Sequence, residues 1–111
     1  MRLSVDLDAI KGFMDPDEGL ALYESARSVA ELGPCLEIGS YCGKSTIYLG
    51  AACQESQNSL FAVDHHRGSE EHQVGEAYHD AELYDATTGL FDSFPVFRSN
   101  ILAAQLEDTV V

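Results

Sequence analysis

Apolar positions along the chain change their spacing several times, and each change marks an element. Leu22, Ala26, Val29 and Ala30 recur at helical spacing, which predicts a helix over about Pro16 to Leu32 with one face to bury. Its start is written in Asp15-Pro16-Asp17-Glu18, where Asp15 caps, Pro16 suits the first helical position and Glu18 completes an Asp-x-x-Glu capping box. Gly33-Pro34 ends it. Cys35-Leu36-Glu37-Ile38 is short, mostly apolar and bounded by Gly33-Pro34 and Gly39, the setting of a buried strand. Helical spacing resumes at Lys44 and runs to Gln54, with Ile47, Tyr48, Ala51 and Ala52 on neighbouring faces. Asn58-Ser59 then turns the chain into a second strand, Leu60-Phe61-Ala62-Val63. Strand, glycine turn, helix and strand in about 30 residues predict a βαβ unit with parallel strands and a right-handed crossover.

The flanks are less regular. The first 15 residues mix charge with apolar residues and predict a loosely attached arm or a short helix. From His65 to Asp92 the chain is polar and predicts a long loop with one helical turn at most; loops of this length are functional or disordered. Asp92 reads as the cap of a last helix with Pro95 in its first turn and Phe94, Phe97, Ile101 and Ala104 on one face, and Phe91, Phe94 and Phe97 are assigned to the core. Thr109-Val110-Val111 predicts the start of a third strand.

Composition narrows the function. The 111 residues suit one domain, and 19 acidic against 6 basic residues give a formal charge of -13. Such a chain repels phosphate backbones and anionic headgroups alike, which excludes nonspecific nucleic-acid binding and a membrane-surface role. Cys35, Cys42 and Cys53 cannot all pair and lack zinc-site spacing, so reduced thiols and a cytoplasmic location are expected. No apolar run approaches the ~18 residues that span a bilayer, and the start lacks a secretory h-region.

The chemistry concentrates in Leu36-Glu37-Ile38-Gly39-Ser40-Tyr41-Cys42-Gly43-Lys44-Ser45-Thr46. Gly39 permits a tight turn and Gly43 a close approach to the backbone, while the helix that follows offers unpaired amides and a positive dipole end. The turn holds a ligand, or else both glycines serve only the passage from strand to helix. A phosphate loop would need a glycine five positions before Gly43, where Ile38 stands. Lys44 therefore reads as an exposed first-turn residue. Asp64, 25 residues after Gly39 and at the carboxyl end of the second strand, is placed to accept hydrogen bonds from a ribose; a capping aspartate is the alternative. His65, His66, His72 and His79 with Glu70 and Glu71 match no ligand spacing, and a solvated polar loop is expected there in place of a metal site. His66 or His72 is a candidate general base, and Cys42 near a helix start is a candidate low-pKa thiol without a partner base.

On these residues the sequence resembles the class I S-adenosylmethionine-dependent methyltransferases. LEIGSYCGKST is similar to their first motif in the Gly-x-x-x-Gly form found in catechol O-methyltransferase and its relatives, and AVDHHRGSEEHQ to the second-strand segment of a bacterial group. The similarity runs from about Leu20 to Val111. It implies a Rossmann-like α/β sheet, S-adenosylmethionine as cofactor and a small-molecule methyl acceptor. It also implies that Gly39, Ser40, Tyr41 and Gly43 surround the methionine part, that Glu37 supports the loop and the amino group, that Asp64 binds the ribose hydroxyls, and that His65 flanks the adenine. The family's sheet has seven strands, and this sequence supplies three, in the order 3-2-1, so it resembles an amino-terminal half: an arm over residues 1–15 and a Rossmann-like unit over 16–111. A nicotinamide-dependent oxidoreductase is the rival enzyme reading, but Tyr41 stands where its second glycine belongs. A non-catalytic module is the other. With no fourth strand beside it, the first strand presents an open edge, and the expectation is either two copies paired there antiparallel into a six-stranded homodimer or a poorly soluble monomer.

Overall fold

In the computed structural model, which describes residues 1–111, the chain is a mixed α/β structure. Helix α1 spans Pro16–Ser28; the Asp15 carboxylate accepts the Asp17 amide, and Glu18 reaches back to the Asp15 amide at 3.2 Å, so the capping box forms. The helix stops at Ser28 and a separate 3-10 turn covers Ala30–Leu32. Its buried face is Gly19, Tyr23 and Ala26, which corrects the expected Leu22, Ala26, Val29 and Ala30 face. The partner sets the rotation: Tyr23 packs with Tyr48, Ala51 and Ala52 of α2 (Lys44–Glu55), and its hydroxyl donates to Glu55.

Strand β1 (Cys35–Ile38) pairs in parallel with β2 (Leu60–Val63), Cys35 opposite Leu60 and Ile38 opposite Val63. Asn58, just before β2, pins the chain leading into β1, its side-chain amide donating to the carbonyls of Ala30 and Gly33. The expected third strand is present only as its first bridge. Leu60 and Val110 make an isolated parallel bridge, with Val111 donating to Leu60 and accepting from Ala62 at 2.8 and 2.9 Å. The Thr109 carbonyl accepts the Leu60 amide at 3.0 Å, while its own amide donates to the Leu106 carbonyl and closes the turn before the bridge. The regular sheet is thus two-stranded, β1 on one edge of β2 and the single bridge to Val110 on the other, so three full strands in the order 3-2-1 are not shown.

Helices cover one face of this sheet. On the other, Leu36, Ile38, Phe61 and Val63 are 64%, 80%, 43% and 55% exposed, so the expected buried strand is half open. Parallel strands ordinarily have both faces covered.

The arm is not loose. A 3-10 turn at Leu7–Ala9, capped by Asp6, delivers Ile10 into a core with Ile47, Ile101, Ala104 and Leu106, and Leu3, Val5 and Leu7 pack around it. The polar stretch after β2 is also more structured than its composition predicts. It holds 3-10 turns at Glu70–His72 and Ala81–Leu83 and a small hairpin of β3 (Tyr84–Asp85) and β4 (Leu90–Phe91), whose bend is fixed by Asp85 accepting the Thr87 amide at 2.9 Å. Helix α3 (Phe94–Ala103) follows. Its cap position is Ser93, one residue later than expected, although Asp92 accepts the Phe94 amide at 3.0 Å. Ile101 and Ala104 are buried and Phe91 joins a core cluster, whereas Phe94 is exposed. No helix is long and apolar enough to cross a membrane.

Candidate functional site

The loop from Gly39 to Gly43 leaves β1 at the carboxyl edge of the sheet. Gly39 (φ +90°) and Gly43 (φ +95°) adopt conformations that favour glycine, and between them Tyr41 is held at φ +50°. Three contacts impose this shape. The Gly39 amide continues the sheet by donating to the Val63 carbonyl at 2.8 Å, the Gly43 amide closes a turn onto the Ser40 carbonyl at 2.9 Å, and Asn100 of α3 donates to the Cys42 carbonyl at 2.8 Å.

Asp64, at the end of β2, is the anchor. One carboxylate oxygen accepts the amides of Ser40 and Tyr41, each at 2.8 Å, and the other accepts the His66 amide at 2.8 Å. Burial pushes the Asp64 carboxyl up, but the His66, Tyr41 and Ser40 amides outweigh it and hold the group below its ordinary value. Glu37 does the corresponding work one strand away: its carboxylate accepts the hydroxyls of Ser45 and Thr46 at 2.6 and 2.5 Å, which ties β1 to the first turn of α2.

Two cavities flank this anchor. The first, about 810 Å³, is walled by the glycine loop, by Lys44 and Ser45, by Lys11 to Met14 of the arm, and by His72 and Tyr78 of the polar stretch. The second, about 790 Å³, lies between the end of β2 and α3, with Arg67, Phe94, Phe97 and Arg98 in its wall. Asp64 and His65 belong to both, so the cavities meet at the end of β2. The Ser40 hydroxyl in the first cavity is 2% exposed and has no hydrogen-bond partner.

The histidines do not converge. His66 is buried, its Nδ1 2.8 Å from the Ser93 hydroxyl and its ring against Phe94 and Phe97, so it pins the loop to α3 and is no candidate base. His65 and His72 accept the amides of Arg67 and Ser69 on Nδ1, at 2.9 and 3.0 Å. A neutral ring in that state carries its hydrogen on Nε2 and can only donate there. His72 stacks between Tyr41 and Phe91, and His79 donates from Nδ1 to the His72 carbonyl. No three His, Cys, Asp or Glu side chains gather into a group that could hold a metal ion. Burial also raises the Cys42 thiol to about 11, which removes the low-pKa thiol suggested by its place near a helix start.

The structure therefore brings Gly39, Ser40, Tyr41, Asp64 and His65 to one cleft, with Glu37 behind it, whereas Gly43 is buried against Phe97 and Ile101 of α3 and does not line it. It adds residues that the sequence did not announce. Lys44 is half-buried in the cavity wall, not an exposed first-turn residue, and the arm supplies a second wall. Neither has a local signal, because only the fold lays the arm over the loop. Residues 36–109 match the sequence model of a family described as a methyltransferase domain.

Proposed function

The chain belongs to that methyltransferase-domain family, and from this premise we propose that its cleft binds S-adenosylmethionine for methyl transfer to a small-molecule acceptor. The observation that carries the reading is the position of Asp64: it fixes the glycine loop and stands where the two cavities meet, so an elongated ligand with a polar centre can pass it. The residues present fit such a group. The buried, unpartnered Ser40 hydroxyl and the open turn of α2 suit the polar methionine end, and the apolar wall at Phe94 and Phe97 suits a flat base.

In this reading Gly39, Ser40 and Tyr41 surround the methionine part, and Gly43 and Glu37 keep their loop in place. Asp64 accepts one ribose hydroxyl, since three of its roughly four acceptor positions are taken by amides. His65 flanks the adenine. When bound, the cofactor supplies a methyl group on a positively charged sulfur, open to attack by a nucleophile in line with the departing bond. The chain's own contribution is orientation: the loop is fixed from three sides before any ligand arrives, which reduces the ordering needed on binding. His72 offers its Nε2–H as a donor, a role in orienting an acceptor and not in removing its proton.

A thermal-shift series with S-adenosylmethionine, S-adenosylhomocysteine, NAD and ATP tests this reading. The first two should raise the unfolding midpoint progressively with ligand concentration. A rise with NAD alone would favour the oxidoreductase reading, and no rise with any of them would favour a non-catalytic module.

A further inference from the structure

At about 810 Å³ the first cavity is of the size that encloses a whole small molecule, and the side facing the arm is aromatic. Three rings in its wall form a ladder of nearly parallel planes: Phe13 lies 6.2 Å from Tyr41 at 24°, and Tyr41 lies 5.5 Å from His72 at 21°. Phe91 backs the inner end, 6.3 Å from Tyr41 at 15°. Phe13 is the outer rung. Tyr78 meets it edge-on, at 5.7 Å and 76°, so the two rings make a corner with a floor and a side wall.

This corner is open, with Phe13 75% and Tyr78 56% exposed. Neither ring is needed to hold the arm, which is anchored by Ile10 in the core and by the Lys11 ammonium, 2.6 Å from Asp80 and 3.3 Å from Glu82. Phe13 also stands outside the residues that match the family, so the corner depends on the arm. An exposed ring face at the end of a stack favours a further planar ring laid parallel and offset upon it, with centroids roughly 4.5 to 7 Å apart. Ring faces also attract cations. In this wall, however, Lys44 has no ion pair, and the carboxylates of Glu18 and Asp64 accept backbone amides while that of Glu71 accepts the Ser69 hydroxyl. A cationic guest would meet the free ammonium and the positive sulfur of the methyl donor.

We propose that Phe13 and Tyr78 form the seat for a planar aromatic ring of the methyl acceptor, stacked on the outer face of Phe13. The inference rests on the cofactor reading above and adds to it the class of acceptor, a small molecule with a flat aromatic ring.

Amide chemical-shift titration of the isotopically labelled full chain at saturating S-adenosylhomocysteine provides the test, with 2-naphthol, decahydro-2-naphthol and tetramethylammonium as probes. The first two share a carbon skeleton and a hydroxyl, and only the first is flat. Wild type should bind 2-naphthol about threefold to tenfold more tightly than decahydro-2-naphthol, with shifts at Phe13 and Tyr78. Phe13→Leu should remove that preference and leave the unfolding midpoint in place, because the ring is largely in solvent. Phe13→Trp should keep it, and Tyr78→Leu, which loses only the side wall, should lower it less than Phe13→Leu does. Equal affinity for the two naphthols, an unchanged preference in Phe13→Leu, shifts away from the corner, or tighter binding of tetramethylammonium than of 2-naphthol would each overturn the proposal and leave the cofactor reading intact. A chain that seats 2-naphthol at the corner but does not bind S-adenosylhomocysteine would instead overturn the cofactor reading, and with it the assignment of the ring to a methyl acceptor.

Discussion

Asp64 accepts the amides of Ser40 and Tyr41 through a single carboxylate oxygen, at 2.8 Å each. The acid that ends one strand is thereby the clamp for the loop that leaves its neighbour, and the cleft between them has its shape before any ligand is bound. Asp64→Asn keeps the size but loses the charge and one acceptor oxygen. Charge-assisted bonds are each worth roughly 1.5 to 3 kcal/mol, and partial exposure reduces that, so a stability loss of about 1 to 2 kcal/mol is expected. S-adenosylhomocysteine affinity should fall with it. Urea unfolding and calorimetry check the pair; an unchanged unfolding midpoint would mean that the clamp is not stabilising.

The same group gives a pH dependence of known sign. Because its pKa in the folded chain lies below the ordinary 3.8, its contribution is complete above that value and is lost as pH falls through the lower, folded one. Wild type should therefore lose stability more steeply than Asp64→Asn when unfolding is followed from about pH 6 down to about pH 3. Parallel profiles would remove Asp64 as the source.

Glu37 joins β1 to α2 through two hydroxyls, and Thr46 is fully buried. Glu37→Ala leaves that hydroxyl unsatisfied and should cost about 1 to 3 kcal/mol, whereas Glu37→Gln keeps an acceptor and should cost less than half as much. Chemical denaturation of the two variants decides it, and equal losses would argue for charge alone.

The exposed apolar face of Leu36, Ile38, Phe61 and Val63 leads to a prediction about assembly. Contiguous apolar surface beside an open strand edge favours association, and charge repulsion is screened over about 8 Å at physiological salt. Two copies are expected to associate through β1 and this face, and Ile38→Lys should dissociate them. Light scattering showing a monomer at high concentration, with the β1 amides still slow to exchange, would contradict this.

The sequence revealed those parts of the fold whose signals are local. The capping box at Asp15, the bounds of both strands and the start of α2 depend on residues within a few positions of one another, and they formed where expected. The rotation of α1 did not, because Tyr48 on another helix sets it. The hairpin at Tyr84–Phe91 escaped notice because two residues per strand leave no alternation to detect, although Asp85 and Gly89 carry its turn. In the site, Gly39, Gly43 and Asp64 were legible from spacing. Lys44 and the arm were not, since their place in the cavity depends on Gly12 passing over α2, a contact between residues 32 positions apart.

The central claim is that the loop after β1 and the end of β2 form one cofactor cleft. Amide chemical shifts of the isotopically labelled chain, followed as S-adenosylhomocysteine is added, test it most directly. The predicted result is saturable changes concentrated at Gly39 to Ser45 and at Asp64 to His66, with the exposed sheet face at Leu36 and Phe61 little affected. Saturation with shifts confined to that face, or no shifts at millimolar ligand, would contradict it.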